Sequence, residues 1–328
     1  MLFADWQSEQ LVGIARLAAR GELIEAKRRV SYRELPARSL LSRCPNPRLP
    51  FRWTINPYRG CEFGCKYCYA RYTHEFMELR ESRDFEEKIF VKQWSAAGFR
   101  QELRRIDPAE PIAIGTATDP YQPAERRYRI TRRILEVFAG ERGRSLGITT
   151  KSDLVSRDAD LLQRVARGNS LSVNLTITTL DARLARRIEP FAPRPDLRLA
   201  AIRKLAGAGI RAGVFVAPVL PLINDSAESL EAIARAARDA GARHFGGNVL
   251  FLKPCASKVF LPFLEEEFPQ LIRRYRERYE QSAYLRGAYP ALIRERIKAA
   301  RDRAGLAPRM ESGELPPEPS NVQLRLIV

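Results

Sequence analysis

Short runs of apolar and β-branched residues recur along this chain, separated by longer stretches with helical spacing. FRWTINPY from Phe51 is the first. PIAIGTA from Pro111, SLGITTK from Ser145, LSVNLTIT from Leu171, RAGVFVAPVL from Arg211 and HFGGNVLFLK from His244 follow. Between them RITRRILEVFAG, ADLLQRVARG, DARLARRI, PDLRLAAIRKLAGAG and SAESLEAIARAARDAG place apolar residues at helical intervals. Strands alternating with helices predict an α/β fold with a parallel sheet, and runs that are apolar on both faces suit a sheet buried under helices. Glycines in LAGAGIRAG and ARDAGARHFGG stop helices just before strands. Pro195 with Asp196 beside it suits a helix N-terminus.

The flanks read differently. Residues 1–50 predict a helical extension and connector: LVGIARLAARGELIEAKRRV has helical spacing broken at Gly21, and CPNPRLP is proline-rich. The strand–helix units span residues 51–255. Residues 256–306 read as a helical cap, and 307–328 as a flexible tail whose last residues, VQLRLIV, could form an edge strand. No apolar run is long enough to span a membrane, and MLFADWQSEQ lacks the basic-then-apolar pattern of a secretory signal.

The chemistry concentrates in NPYRGCEFGCKYCYARYTHEF, where Cys61, Cys65 and Cys68 follow a CxxxCxxC spacing. Three thiolates on one short loop can grip three irons of a [4Fe–4S] cube and leave the fourth iron open to a substrate or cofactor. Gly60 and Gly64 supply the backbone freedom such a wrap needs, and Tyr67 can lay its ring beside whatever occupies the open iron. A zinc site is the alternative, with His74, Cys44 or Cys255 as a fourth ligand, although paired CxxC knuckles or CxxC with HxxxH are missing. A disulfide fits poorly, since three is odd. With five cysteines in the chain and three in this motif, the expectation is a reducing cytosol.

The CxxxCxxC motif with an aromatic before its last cysteine resembles the signature of radical S-adenosylmethionine (SAM) enzymes. The wider string NPYRGC..GC.YCYAR.THE resembles the branch related to spore photoproduct lyase. The resemblance covers roughly residues 50–265 and implies a partial (β/α)6 barrel of TIM type, a [4Fe–4S] cluster, SAM, and a flavodoxin or ferredoxin as electron donor. It also puts the active site at the C-terminal strand ends. There the second strand ends GTATDPYQPAE; the family holds the amino group of SAM at this point, and Thr116, Thr118 and above all Asp119 are the candidates here. Asp119 could instead cap the turn before Pro120. Tyr121 in the same loop is a candidate catalytic residue. Lys151 and Ser152 after the third strand are candidates for the methionine carboxylate, with helix capping as the other reading of Ser152. Asn174, Thr176 and Thr178 alternate along the fourth strand, so they share one face, a polar stripe that the resemblance assigns to the ribose. Pro218 and Pro221 on the fifth strand would meet the adenine, and Asn224 and Asp225 would cap the next helix. Cys255, at the end of the sixth strand, could return a hydrogen atom to a product radical or could be a small buried residue. Cys44 reads as structural and His74 as a supporting residue behind the loop.

The net charge of +17 changes the substrate picture. Such an excess favours a polyanion as partner, although an arginine-rich, high-GC genome would raise the same count. In QLIRRYRERYEQSAYLRGAYP, arginines interleave with Tyr275, Tyr279, Tyr284 and Tyr289. Either the arginines pair phosphates while the tyrosines stack on bases, or the tyrosines pack inward and the arginines are solvated. Three readings follow: a radical SAM enzyme acting on nucleic acid, for repair or modification; one acting on a peptide or small molecule; or a metal-bearing nucleic-acid-binding module without catalysis.

Overall fold

The structure is a computed structural model that describes residues 11–26, 29–47 and 49–308. Its N-terminal region corrects the helical extension expected for residues 1–50. Helix Gly13–Arg20 buries Ala15 and Ala18, then gives way to strands β1 (Leu23–Ala26) and β2 (Ser31–Pro36). Gly21 stops the helix because β2 passes too close: an added Cβ would lie 2.0 Å from the Glu34 carbonyl oxygen. Arg33 Nη1 donates to the Gly21 carbonyl at 2.8 Å, which fastens the same corner. Periodicity alone could not see this contact, because it depends on a partner strand.

Strands β3 (Leu41–Arg43) and β4 (Trp53–Ile55) pair antiparallel around the proline-rich connector. Strands β5 (Tyr58–Arg59) and β6 (Lys88–Gln93) bracket the cysteine motif in the chain. They join the N-terminal strands in a small sheet of order β1-β2-β6-β5, with β2 and β6 parallel. Ala18, Leu35, Met77, Leu79 and Phe90 form its own small core. Edge strand β5 therefore launches the cysteine loop from a platform built by distant segments.

The large sheet adds β7 (Ile112–Ile114), β8 (Ser145–Thr150), β9 (Ser170–Thr176), β10 (Ala212–Val219), β11 (His244–Val249) and β12 (Ala307–Pro308). Strands β4, β7, β8, β9, β10 and β11 are the six expected; they lie side by side in chain order, all parallel. The sheet is open, with β3 at one edge and β12 at the other. Ile112, Ile114, Ile148, Val173, Leu175, Val214 and Val216 are buried against helix residues such as Ile134, Leu162 and Ile202. Each such side chain contributes roughly 1.5–3 kcal/mol by leaving water. This is an α/β partial barrel of TIM type.

The segment expected as a cap divides in two. Helices Pro254–Glu267 and Ile272–Tyr279 share an apolar cluster with Cys61, Phe63, Cys65 and Tyr67, so they pack against the cysteine loop. Helix Ala288–Arg303 buries Ile293, Ile297 and Ala300 in the main core and serves the sixth strand as its covering helix. Tyr275 and Tyr279 pack inward, donating to the carbonyls of Pro221 at 2.7 Å and Leu250 at 2.9 Å, while the Arg273 and Arg276 side chains are 87% and 62% exposed. The expected tail begins instead as β12, which pairs with His244 and Phe245. Its remainder, including the edge strand expected from VQLRLIV, lies outside the described residues.

Candidate active site

The cysteine loop leaves β5 through Gly60 and turns at Gly64, both at positive φ (82° and 64°). A Cβ on Gly60 would sit 2.9 Å from Ile89 Cδ1 and from the Phe85 and Lys88 carbonyls, so the position needs glycine on both counts. Ties from four directions hold the loop. Cys61 N donates to the Phe85 carbonyl at 2.9 Å, and Lys66 N to the Ile188 carbonyl at 2.9 Å. The Gly60 carbonyl accepts from Thr118 Oγ1 at 2.6 Å and from Gln122 Nε2 at 3.0 Å, and Glu62 N donates to Gln122 Oε1 at 3.1 Å. Arg71, itself buried and ion-paired with Glu86, donates to the Cys65 carbonyl at 3.1 Å.

Cys61, Cys65 and Cys68 are free thiols; the first two are buried and the third half-buried. Burial pushes all three thiols up; Asp119 adds to the effect at Cys61, whereas Lys151 counteracts it at Cys65 and Arg71 at Cys68. A bound cation would reverse that balance and deprotonate them. Among the described residues no three His, Cys, Asp or Glu side chains stand together as a single ion would require. A cube takes one thiolate at each of three separate irons, and three soft donors on a pre-set loop fit it.

The strand ends face this loop. Asp119 is half-buried and accepts three hydrogen bonds: from Thr150 Oγ1 at 2.6 Å, Tyr121 N at 2.9 Å and Lys151 N at 2.7 Å. Burial raises its pKa, against those bonds and Lys151, which lower it. Its remaining lone pairs leave room for a further donor. Lys151 Nζ lies 5.6 Å from the Tyr67 ring centroid and 4.0 Å from Glu189 Oε1. The Tyr67 hydroxyl donates to that same carboxylate, Thr178 Oγ1 donates to it at 2.6 Å, and Arg198 pairs with its other oxygen. Burial would raise the pKa of Glu189, but Arg198, then Lys151, then the Thr178 and Tyr67 hydrogen bonds hold it down at about 2. One ionised carboxylate thus fixes a tyrosine beside the third cysteine and a lysine at the barrel mouth.

Glu189, Arg198, Gln122 and Arg71 went unrecognised in the sequence. One cue existed for Glu189: it ends helix Ala182–Ile188, where an acid opposes the helix dipole, just before Pro190.

The other expected residues divide by what they touch. Thr116 stays at the mouth, its hydroxyl 3.2 Å from Asn56 Nδ2 and its carbonyl accepting from the Tyr69 hydroxyl. Thr118 braces the loop rather than facing a ligand, because its hydroxyl is committed to Gly60. Ser152 accepts from Leu154 N at 3.3 Å and caps the turn Asp153–Asp158. Asn174 does point inward, but Ile148 O takes its amide at 3.1 Å and His244 Nε2 lies 2.9 Å from its oxygen, so it knits the barrel interior. Thr176 is buried, and Arg198 takes its carbonyl at 2.9 Å. Pro218 is half-buried at the end of β10. Tyr121, expected as catalytic, is fully buried in the main core, where packing keeps it from a substrate. Cys255 lies in the first turn of helix Pro254–Glu267; its sulfur is 3.6 Å from the carbonyl of Tyr69, the residue after Cys68. His74 is a core residue: Nε2 donates to the Lys88 carbonyl at 2.9 Å, Phe85 and Phe90 flank the ring, and burial lowers its pKa to about 3. Asn224 bridges Leu220 N and the Thr178 carbonyl, and Asp225 accepts from Tyr289; neither caps the helix, which Ser226 does.

The fold and the site together define an open parallel barrel that carries three free cysteines on a braced loop at its strand ends. Residues 55–237 match the Radical SAM superfamily, and the chain belongs to that superfamily. It is similar to the uncharacterized protein Rv2578c of Mycobacterium tuberculosis (strain H37Rv), 38% identical over 270 residues, spanning 82% of this chain and 79% of that one. It is 30% identical over 219 residues to the uncharacterized protein MJ0683 of Methanocaldococcus jannaschii, 67% of this chain and 77% of the other. Among solved structures it resembles spore photoproduct lyase complexed with dinucleoside spore photoproduct: TM-score 0.61, 15% identity, 90% of this chain and 85% of that chain. A variant of that lyase with bound AdoMet and the dinucleoside aligns at TM-score 0.55 and 16% identity, over 85% and 88% of the two chains. At such identities the likeness is one of fold. Among the described residues no helix is long and apolar enough to cross a membrane.

Proposed function

We propose that this chain is a cytosolic radical SAM enzyme acting on nucleic acid, in repair or modification. Cys61, Cys65 and Cys68 would hold a [4Fe–4S] cluster through three thiolates, with SAM between it and the strand ends. With both bound and one electron from a flavodoxin or ferredoxin, that pair supplies a 5′-deoxyadenosyl radical that takes a hydrogen atom from the substrate. The chain's residues do the rest. Lys151 meets the methionine carboxylate, and Asp119 its ammonium, each by charge complementarity. Glu189 holds Lys151 and Tyr67 in place, so the loop is set before ligand arrives. Pro218 borders the adenine, and Cys255 is the candidate hydrogen-atom donor for the product.

The carrying observation is the set of three free thiols on a loop braced from four sides and facing Lys151. Nucleic acid as substrate is supported by the net charge of +17, which attracts phosphates. Anaerobic reconstitution and dithionite reduction in the presence of SAM test the enzymatic reading. Wild-type protein is expected to release 5′-deoxyadenosine, and the triple variant Cys61→Ala, Cys65→Ala, Cys68→Ala none. Equal yields from both, or zinc without iron in anaerobically purified protein, would refute it.

A further inference from the structure

Beside the cysteine loop the surface carries an unbroken row of aromatic rings. Tyr284 stacks on Phe251 with centroids 4.2 Å apart; Phe251 meets Tyr69 at 5.9 Å, Tyr69 stacks with Tyr72 at 6.4 Å, and Tyr72 meets Phe76 edge-on at 5.8 Å. Tyr69, Phe76 and Tyr284 are 39%, 46% and 56% exposed. These rings come from two distant parts of the chain: residues 69–76 follow the last cluster cysteine, and residues 251–284 follow the sixth barrel strand. The ring pairs tie the two segments together, but a row left this exposed to water is also the kind of patch that marks a contact surface.

Two features say what covers it. Lys253 Nζ lies 3.7 Å over the Tyr72 ring and 5.9 Å from the Phe251 centroid, so a cation sits within the row. Exposed Lys258 lines a hollow with Glu75, an acid that faces Lys253. The row is also continuous with the candidate site, since Tyr69 follows Cys68 and its hydroxyl donates to the Thr116 carbonyl at the barrel mouth. Flat rings with a cation among them match a strand whose bases are unpaired: its bases have faces to stack, and its backbone has phosphates for the cation to meet. A duplex hides those faces.

We infer that Tyr284, Phe251, Tyr69, Tyr72 and Phe76 form a stacking platform that delivers a single-stranded or locally opened nucleic acid to the cysteine loop. The inference rests on the nucleic-acid reading above and adds the form of the strand and its docking path.

The test is fluorescence anisotropy on anaerobic, cluster-loaded protein with labelled single-stranded DNA, single-stranded RNA and the matching duplex, at two salt concentrations. Polyglutamate serves as the competitor. The variants are the double Phe251→Ala, Tyr284→Ala and, separately, Phe76→Ala at an exposed site, each checked for iron content and melting temperature. At least one single strand is expected to bind more tightly than the duplex, and the double variant to lose about tenfold or more in affinity for it. Phe76→Ala is expected to lose less. Folded variants that bind like wild type would overturn the platform and leave the nucleic-acid reading standing. Tighter binding to the duplex, or polyglutamate competing as well as the oligonucleotide, would overturn base stacking. A wild-type protein that binds no nucleic acid at low salt would remove both inferences together.

Discussion

The barrel and the cysteine loop sit a few residues apart in the chain, yet different forces hold them. The barrel rests on burial: Ile148, Val173, Leu175 and Val214 are fully buried, and dozens of neighbours share the load. The loop shares an apolar cluster with helices Pro254–Glu267 and Ile272–Tyr279, but its course is set by a handful of directional bonds to Thr118, Gln122, Arg71 and the Phe85 and Ile188 carbonyls. Apolar packing is redundant and sets stability. A few polar ties add little to stability but set where three sulfurs point, so damage in the two regions should read out differently.

The carboxylate that joins the regions should give the largest effect. Glu189→Ala strands the Arg198 guanidinium, which is 1% exposed, without its partner. An uncompensated buried charge costs about 3–5 kcal/mol. Urea denaturation should register this loss, with Glu189→Gln falling well short of it. A variant as stable as wild type would show that the two regions are not coupled through this pair.

Within the barrel, Leu175→Ala should cost about 2–5 kcal/mol as the core is left with a cavity. Iron content per folded chain should stay unchanged. Loss of iron at full stability would contradict the division drawn here.

Acid should act on the loop's side first. His74 is held below its ordinary 6.5, at about 3, by burial. Its folded state therefore resists a proton that the unfolded state accepts. Stability is complete above pH 6.5 and declines as pH falls toward 3. Glu189, held at about 2 against an ordinary 4.5, behaves in the same direction at lower pH: its contribution is lost as pH falls from 4.5 to 2. Thermal melts between pH 7 and 4 should show a slope that His74→Phe flattens.

Thr118→Val should produce the smallest change in stability, about 1–2 kcal/mol for two lost hydrogen bonds, one to the Gly60 carbonyl and one from Gln122 Nε2. Its cost should appear instead in iron retention and 5′-deoxyadenosine yield, because the Gly60 carbonyl loses a brace. A variant with normal iron and yield would mean that Thr118 does not position the loop.

Most of the barrel was readable along the chain, because each strand is a local apolar run and each helix carries its own period. Cys61, Cys65, Cys68, Gly60 and Gly64 were readable for the same reason: a tight loop concentrates its chemistry in a few consecutive residues. Ser152, Asn174 and Tyr121 stayed ambiguous along the chain because their residue types suit either a ligand or an internal bond. Only their neighbours, Leu154 N, His244 and the main core, decide which. Tyr67 and Lys151 were singled out without the carboxylate that orders them.

Local order thus followed from short-range rules: periodicity made the strands and helices, and spacing made a three-thiol loop. Long-range contact decided the remainder. It turned an expected helical arm into strands β1 and β2 beneath that loop, and it assigned helix Ala288–Arg303 to the barrel rather than to a cap. It also brought residues 67, 151, 178, 189 and 198 onto one buried charge. The physical reason is that a side chain's solvation and hydrogen-bond partners depend on which segments fold against it, and no window along the chain contains them.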